Sequence, residues 1–242
     1  MPEITSRQIQ ILKAIIEEFM ETAEPVGSET LEKKYSLGIS PATIRNEMVK
    51  LTDNGYLKQP HTSAGRIPTP VALKYYVHEL MQSKNLSVAD EVAVKERVWD
   101  YRFEMDKLLR ESTRVLAEKT RMLALSTTEE GDIYFSGAAH ILDMPEFYDI
   151  EVTKSVLSIL DEFDFWKNLL SKSLEMEDIY ILMGEELGYQ YLSPCGIVFA
   201  KFNPGTKKGG TIGVIGPSRI NYPVVIPTVK YFGNLISELT KF

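Results

Sequence analysis

The sequence holds a single cysteine, Cys195, in 242 residues. No internal disulfide can form, and a reducing compartment suits such a chain. The residues after that thiol, Gly196-Ile197-Val198-Phe199-Ala200, read as a buried strand, so Cys195 is expected to be an inert core thiol and not a nucleophile. Histidine is nearly as scarce. His61, His78 and His140 have no partners at metal-ligand spacing, and neither a metal nor a cofactor is expected. No apolar run approaches the length needed to cross a bilayer, and MPEITSRQIQ lacks a basic leader ahead of an apolar core. The expectation is a cytoplasmic chain without a membrane partner. Gly205 to Gly210 lacks the Gly-Lys-Ser/Thr ending of a phosphate loop and stands between two expected strands, which makes it a basic hairpin turn. Glu185-Glu186 reads as a solvated pair at a strand end. Nothing assembles a nucleophile, a base and an oxyanion donor, so no enzyme is expected.

Positive charge is short as well: 27 Lys and Arg oppose 34 Asp and Glu, a net charge of −7. That total does not favour a nucleic-acid partner, but its distribution does. From Ser40 to Tyr75, Arg45, Lys50, Lys58, Arg66 and Lys74 face only Glu47 and Asp53. Affinity for DNA depends on charge placed at the phosphates.

The organising stretch is SPATIRNEMVKLTDNGYLKQPHTSAGR, Ser40 to Arg66. Ser40-Pro41 supplies a capping hydroxyl and a proline at the first helical position. Ile44, Met48 and Leu51 recur at helical spacing and bury one face. Ala42, Thr43, Asn46 and Lys50 occupy the opposite face with Arg45 on the flank, side chains that suit a major groove. Gly55 ends the helix. A short strand, Tyr56 to Gln59, then leads into the polar tip Pro60-His61-Thr62-Ser63-Ala64-Gly65-Arg66. Upstream, Gly27-Ser28 opens a short helix with Leu31 and Tyr35 inward, and Leu37-Gly38-Ile39 turns into Ser40. Two helices joined by such a turn fit a helix-turn-helix or a plain packing unit; the basic wing favours the former.

The motifs EPVGSETL, SPATIRNEM and QPHTSAGRIPT, in this order and spacing, resemble the winged-helix domain of the HrcA family, bacterial repressors of heat-shock chaperone operons. GAAHILDMPEF (137–147), MGEE (183–186) and GTIGVIGPSRINY (210–222) resemble the GAF-like domain of that family. The resemblance implies a repressor that binds double-stranded DNA at an inverted-repeat operator, the CIRCE element, as a homodimer. It also implies a GroEL-type chaperonin that keeps the repressor folded until heat diverts it. By motif, Ser40, Thr43, Arg45 and Asn46 on the helix and His61, Thr62, Ser63 and Arg66 on the wing contact DNA. Lys50 and Gly65 join that set from the groove-facing side and the wing tip. One departure is large. Family members carry a block between the linker helix and GAAHIL, including a dimerising insert, where this chain has only Leu123 to Gly131. The alternative is a ligand-responsive winged-helix regulator whose GAF-like domain senses a small molecule, with Tyr189 and Tyr191 lining a pocket.

The expected fold class is α+β: an N-terminal winged helix-turn-helix (1–82), a long linker helix (83–125) and a reduced GAF-like α/β domain (126–242). Thr5-Ser6-Arg7-Gln8 is a capping box opening a first helix, whose Glu17, Glu18 and Glu21 should face outward. Thr69-Pro70 opens another, with Leu73, Tyr76, Val77 and Leu80 on one side. From Ser87 to Met122 there is no proline or glycine, and Val94, Val98, Tyr101, Met105, Leu108, Val115 and Met122 form a seam broken by Ser112 and Lys119. That seam serves either the chain's own sheet or a second chain. Strands are expected at Ile133–Phe135, Ile179–Met183, Gly196–Phe202 and Thr211–Ile215. A helix is expected from Pro145 to Leu170 with Ile150, Val156, Leu157, Leu160 and Phe163 buried, and a last one from Asn221 to Leu239, kinked at Pro227.

Overall fold

The structure, a computed structural model, describes residues 4–162, 164–166, 179–203, 205 and 209–241. The chain divides into two compact units, Met1–Gln82 and Ser83–Phe242.

The first unit begins with α1 (Ser6–Thr22), set by the expected capping box: Gln8 N–H donates to Thr5 Oγ1 at 3.3 Å and Thr5 N–H to Gln8 Oε1 at 2.9 Å. Its buried stripe is Ile11, Leu12, Ile15 and Ile16. The acidic face departs from expectation. Glu18 is 6% exposed, accepts from the Tyr35 hydroxyl at 2.9 Å and pairs with Lys34 at 2.7 Å. Glu18 therefore ties α1 to α2 (Ser28–Tyr35), a short helix in which Leu31 is the fully buried apolar side chain. Next come α3 (Pro41–Asp53), β1 (Leu57–Lys58), β2 (Ile67–Pro68) and α4 (Pro70–Tyr75), which runs on into a π-helical turn, Tyr76–Leu80. Thr69 caps α4 through the Ala72 N–H and donates its hydroxyl to Gly55 O at 2.8 Å, joining two turns of the unit.

The second unit contains α5 (Val88–Trp99), α6 (Met105–Thr120), β3 (Leu123–Thr128), β4 (Ile133–Ser136), α7 (Ile150–Ser158), β5 (Ile179–Met183), β6 (Cys195–Phe202), β7 (Gly210–Pro217) and α8 (Tyr222–Leu239). The five strands form one antiparallel sheet in the order β4-β3-β7-β6-β5. One face packs on α6 and α8. The other covers a core that includes Leu125, Phe147, Trp166, Ile197, Phe199 and Ile215. Alternate residues of a strand point to opposite faces, so Leu123 and Leu125 enter that core while Ser126 bonds Thr113 of α6 at 2.9 Å.

Three expectations are corrected here. The single helix over 87–122 is two helices folded back on each other around Asp100–Glu104. No proline or glycine breaks it. Arg102 folds back onto the turn itself, lying 4.5 Å over the Trp99 ring and 4.4 Å over Phe103 and donating to Trp99 O at 2.8 Å. Antiparallel return then lets Arg97 pair with Glu118 at 2.8 Å and Lys119 with Asp90 at 2.6 Å. Most of the Val94–Met122 seam is consumed inside the chain: Val94, Val98, Leu108, Val115 and Met122 are buried against its own elements with Ser112 among them, whereas Met105 is half-buried and Tyr101, at the turn, is exposed. The linker is thus no separate domain, and a boundary at 125 falls within β3.

The helix expected over Pro145–Leu170 is interrupted. A 3-10 turn (Pro145–Phe147), α7 and a second 3-10 turn (Ile159–Asp161) occupy its first part, and residues 164–166 are helical again. Val156 and Leu160 are buried, but Ile150 and Leu157 are 63% and 40% exposed. Asp149 provides the reason, capping α7 through the Glu151 N–H at 2.9 Å and so restarting the chain there. Phe163 and residues 167–170 lie outside the described residues, as do Thr206–Lys208 of the expected hairpin turn. Cys195 is buried, and burial pushes its thiol up to about 12.

Candidate nucleic-acid interface

Ser40 caps α3 as the sequence implied, accepting from the Thr43 N–H at 3.3 Å, and its hydroxyl lies 3.0 Å from that of Thr43. Ile44 and Leu51 are wholly buried and Met48 nearly so, which fixes the rotation of the helix. Arg45, Asn46 and Lys50 are consequently exposed, with Thr43 half-buried beside them. Lys50 is not a free cation. It pairs with Glu47 at 3.1 Å, and the other Glu47 oxygen accepts from the buried Gln8 amide at 3.0 Å. Glu47 is 8% exposed, so Lys50 supplies the charge that lets a carboxylate sit there.

The segment between β1 and β2 is ordered by its own polar groups. The Gln59 amide donates to Thr62 O at 2.9 Å and to Ala64 O at 3.0 Å, and the Ala64 N–H donates to His61 O at 2.9 Å. His61, Thr62 and Ser63 are exposed at the tip, with His61 Nδ1 3.4 Å from Ser63 Oγ. The base of this loop is fastened from two directions. Arg66 and Val26 exchange both backbone hydrogen bonds at 2.9 Å, forming an antiparallel bridge to the residues that precede α2. Arg66 Nε also donates to Thr52 Oγ1 at 3.1 Å, which joins the loop to α3. Gly65 is required by this closeness, because a Cβ there would lie 2.4 Å from Val26 O.

Arg66 was expected as a cation at the loop tip; it is half-buried at the base and part of the frame. A cleft of about 410 Å³ separates the first turn of α2, α3 and the loop. Arg45, Thr62, Ser63, Gly65 and Arg66 all border it, whereas Ser40, Thr43, Asn46, Lys50 and His61 do not. Thr43, Asn46 and Lys50 form instead a separate exposed stripe along α3. Sequence reasoning missed Thr52 and Gln59, which position Arg66 and the tip, and Ser28, which also borders the cleft. Thr52 acts on a residue fourteen positions away, and Gln59, though it bonds the nearby Thr62 and Ala64 carbonyls, does so through a side-chain amide that no hydrophobic period or capping rule marks. Among the described residues, no group of three His, Cys, Asp or Glu could hold a metal, and no helix is long and apolar enough to cross a membrane.

Comparison with known proteins gives this geometry a family. The sequence model described as HrcA protein C terminal domain matches residues 49–226. The chain is 30% identical to the heat-inducible transcription repressor HrcA of Symbiobacterium thermophilum, with 98% of this chain and 99% of that protein covered. It is 30% identical to the HrcA of Desulforamulus reducens, covering 98% and 97%. Those alignments run over 338 and 336 positions, more than the 242 residues of this chain, so the relatives hold internal residues without a counterpart here. A crystal structure of a hypothetical protein shares the fold, with a TM-score of 0.77 at 18% identity over 98% of this chain and 99% of that one. The chain therefore belongs to the HrcA family of heat-inducible transcription repressors.

Proposed function

We propose that residues 4–82 form a winged helix-turn-helix in which α2 and α3 are the helix pair and the β1–β2 loop is the wing. On this reading the chain represses heat-shock chaperone genes by binding an inverted-repeat, CIRCE-type operator as a cytoplasmic homodimer. The α3 stripe of Thr43, Asn46 and Lys50 enters the major groove, and His61, Thr62 and Ser63 reach the adjacent backbone or minor groove. The supporting observation is the frame. A helix with a polar, exposed face is capped and locked by Ile44, Met48 and Leu51, beside a loop pinned to it through Arg66 and Thr52.

The second unit is read as the reduced GAF-like domain whose folding state governs pairing, with a GroEL-type chaperonin as its partner. The sensor alternative draws no support from its aromatics. Tyr189 and Tyr191 lie at the surface, and the interior beside Tyr189 is filled by Trp166 packed edge-on against Phe165 and Phe199. The test is binding to an inverted repeat from upstream of the organism's own chaperonin genes, measured against a scrambled duplex. Preference for the repeat, lost on mild heating and restored by chaperonin, is the expected result; equal affinity for both duplexes refutes it.

A further inference from the structure

The five-stranded sheet ends on β4, and among the described residues no strand pairs with its outer edge. The Thr128 N–H donates to Asp132 O at 3.0 Å where the β3–β4 hairpin begins, and the register runs on unbroken from Thr127–Ile133 to Ala124–Ser136. Backbone groups along an antiparallel strand turn alternately toward a neighbour and away from it. Tyr134 therefore bonds Ser126 inward, while the N–H and C=O groups of Ile133 and Phe135 point outward. The strand is firmly seated. Tyr134 is buried, its hydroxyl donates to Asp106 Oδ1 at 2.9 Å, and the Arg110 guanidinium lies 5.0 Å over its ring, both from α6.

Nothing in the strand guards that edge. Ile133-Tyr134-Phe135-Ser136 holds neither a charge nor a proline, the residues that ordinarily keep an edge from pairing. Phe135 is 51% exposed beside the outward groups, whereas no residue of β5, at the other end of the sheet, is exposed. The two ends of β4 also differ in charge. Glu129, Glu130 and Asp132 stand at the hairpin end. The other end closes on the end of α6, where a Cβ at Gly137 would lie 2.7 Å from Met122 O and 2.8 Å from Ala117 Cβ. The exposed Arg121 directly precedes Met122 there.

We infer that β4 pairs antiparallel with the β4 of a second copy of this chain, about a two-fold axis at Tyr134. In that register Ile133 and Phe135 of the second copy exchange both backbone hydrogen bonds on each side of the axis, and each Phe135 side chain lies beside an Ile133. The acidic hairpin end of one copy meets the Arg121 end of the other. A patch that pairs with itself closes at a dimer. The inference rests on the homodimer reading and adds to it the surface through which the copies meet.

Hydrogen exchange on the full chain tests it. The Ile133 and Phe135 amides should be protected at high protein concentration and exchange several-fold faster on dilution, in step with dissociation followed by sedimentation. The Tyr134 amide should stay protected throughout. Phe135→Pro removes an outward donor without touching the ladder to β3, so the variant should fold and its dimer should be about tenfold weaker. Phe135→Lys puts a charge on the edge, should act in the same direction, and decides the matter if the proline variant melts early. Arg121→Glu should weaken the dimer, and Asp132→Lys added to it should restore the loss. A dimer whose Ile133 and Phe135 amides exchange at one rate at every dilution overturns the inference and leaves the homodimer reading standing. So does a dimer that both Phe135 variants, folded, leave unchanged. A chain that is monomeric at every concentration overturns both. Dimers that pair through β4 yet ignore the inverted repeat sustain the inference and refute the operator reading.

Discussion

Lys84 donates its backbone N–H to the carbonyl of Pro223 at 2.7 Å. That carbonyl is available because Pro227, four residues on in α8, has no N–H to give it. The proline thus does more than disturb a helix: it frees an acceptor that captures the start of the second unit. Pro227→Ala returns an intrahelical donor to Pro223 O. Hydrogen exchange at the Lys84 amide should then accelerate at least several-fold, while amides in β6 and β7 stay protected. Unchanged protection of Lys84 would show that the proline is incidental.

Asn46 tests direct reading of bases. An exposed amide on α3 can bond adenine in two places, so Asn46→Ala should cost about 1–3 kcal/mol on the specific operator. Random duplex should lose little. Titrations of both duplexes decide it, and equal losses would move Asn46 to the backbone-contacting group.

Arg66 is expected to act through structure as well as charge. Arg66→Ala removes the bond to Thr52 and should both lower the melting temperature of the first unit and weaken binding to any DNA. Arg66→Lys keeps the charge without the planar fork, and should restore the salt dependence better than the stability. Calorimetry with salt-dependent anisotropy separates the two contributions.

The carboxyl of Glu18 is held below its ordinary value by the hydrogen bond from Lys34, then by that from Tyr35, against the opposing effect of burial. A carboxylate with a lowered folded pKa stabilises the fold above its unfolded pKa, and the contribution is lost as pH falls through the folded value. The first unit should therefore lose stability below about pH 4.5, the ordinary value for this side chain. In Glu18→Gln the acid branch should flatten. An unchanged acid branch in the variant would place the titration elsewhere.

Burial raises the Cys195 thiol to about 12, so alkylation at neutral pH should report opening of the second unit. On mild heating, labelling of Cys195 should begin at the temperature where operator affinity falls, and chaperonin should delay both. Val98→Glu should bring labelling to lower temperature, because Val98 is wholly buried in the chain's own core. A folded monomer from that variant would instead return the seam to an interface between chains.

Local chemistry was legible where capping residues and hydrophobic spacing carry it. The Thr5/Gln8 capping box, Ser40-Pro41 and Thr69-Pro70 each set a helix start through bonds three residues long, and the Ile44, Met48 and Leu51 spacing set which face of α3 is buried. Gly196–Phe202 read as a strand because its side chains are nearly all apolar, and the observed β6, Cys195–Phe202, buries them on both faces. Tertiary structure alone decided the rest. The heptad-like seam is equally compatible with one long helix or two antiparallel ones, and it took the Arg97–Glu118 and Lys119–Asp90 pairs to choose. Glu18 looked like a solvated charge until α2 brought Lys34 and Tyr35 to it. Arg66 read as a loop-tip cation, and only the bridge to Val26 and the bond to Thr52 place it at the base. In each case the deciding partner lies more than ten residues away in the sequence, where hydrophobic period and capping rules carry no information.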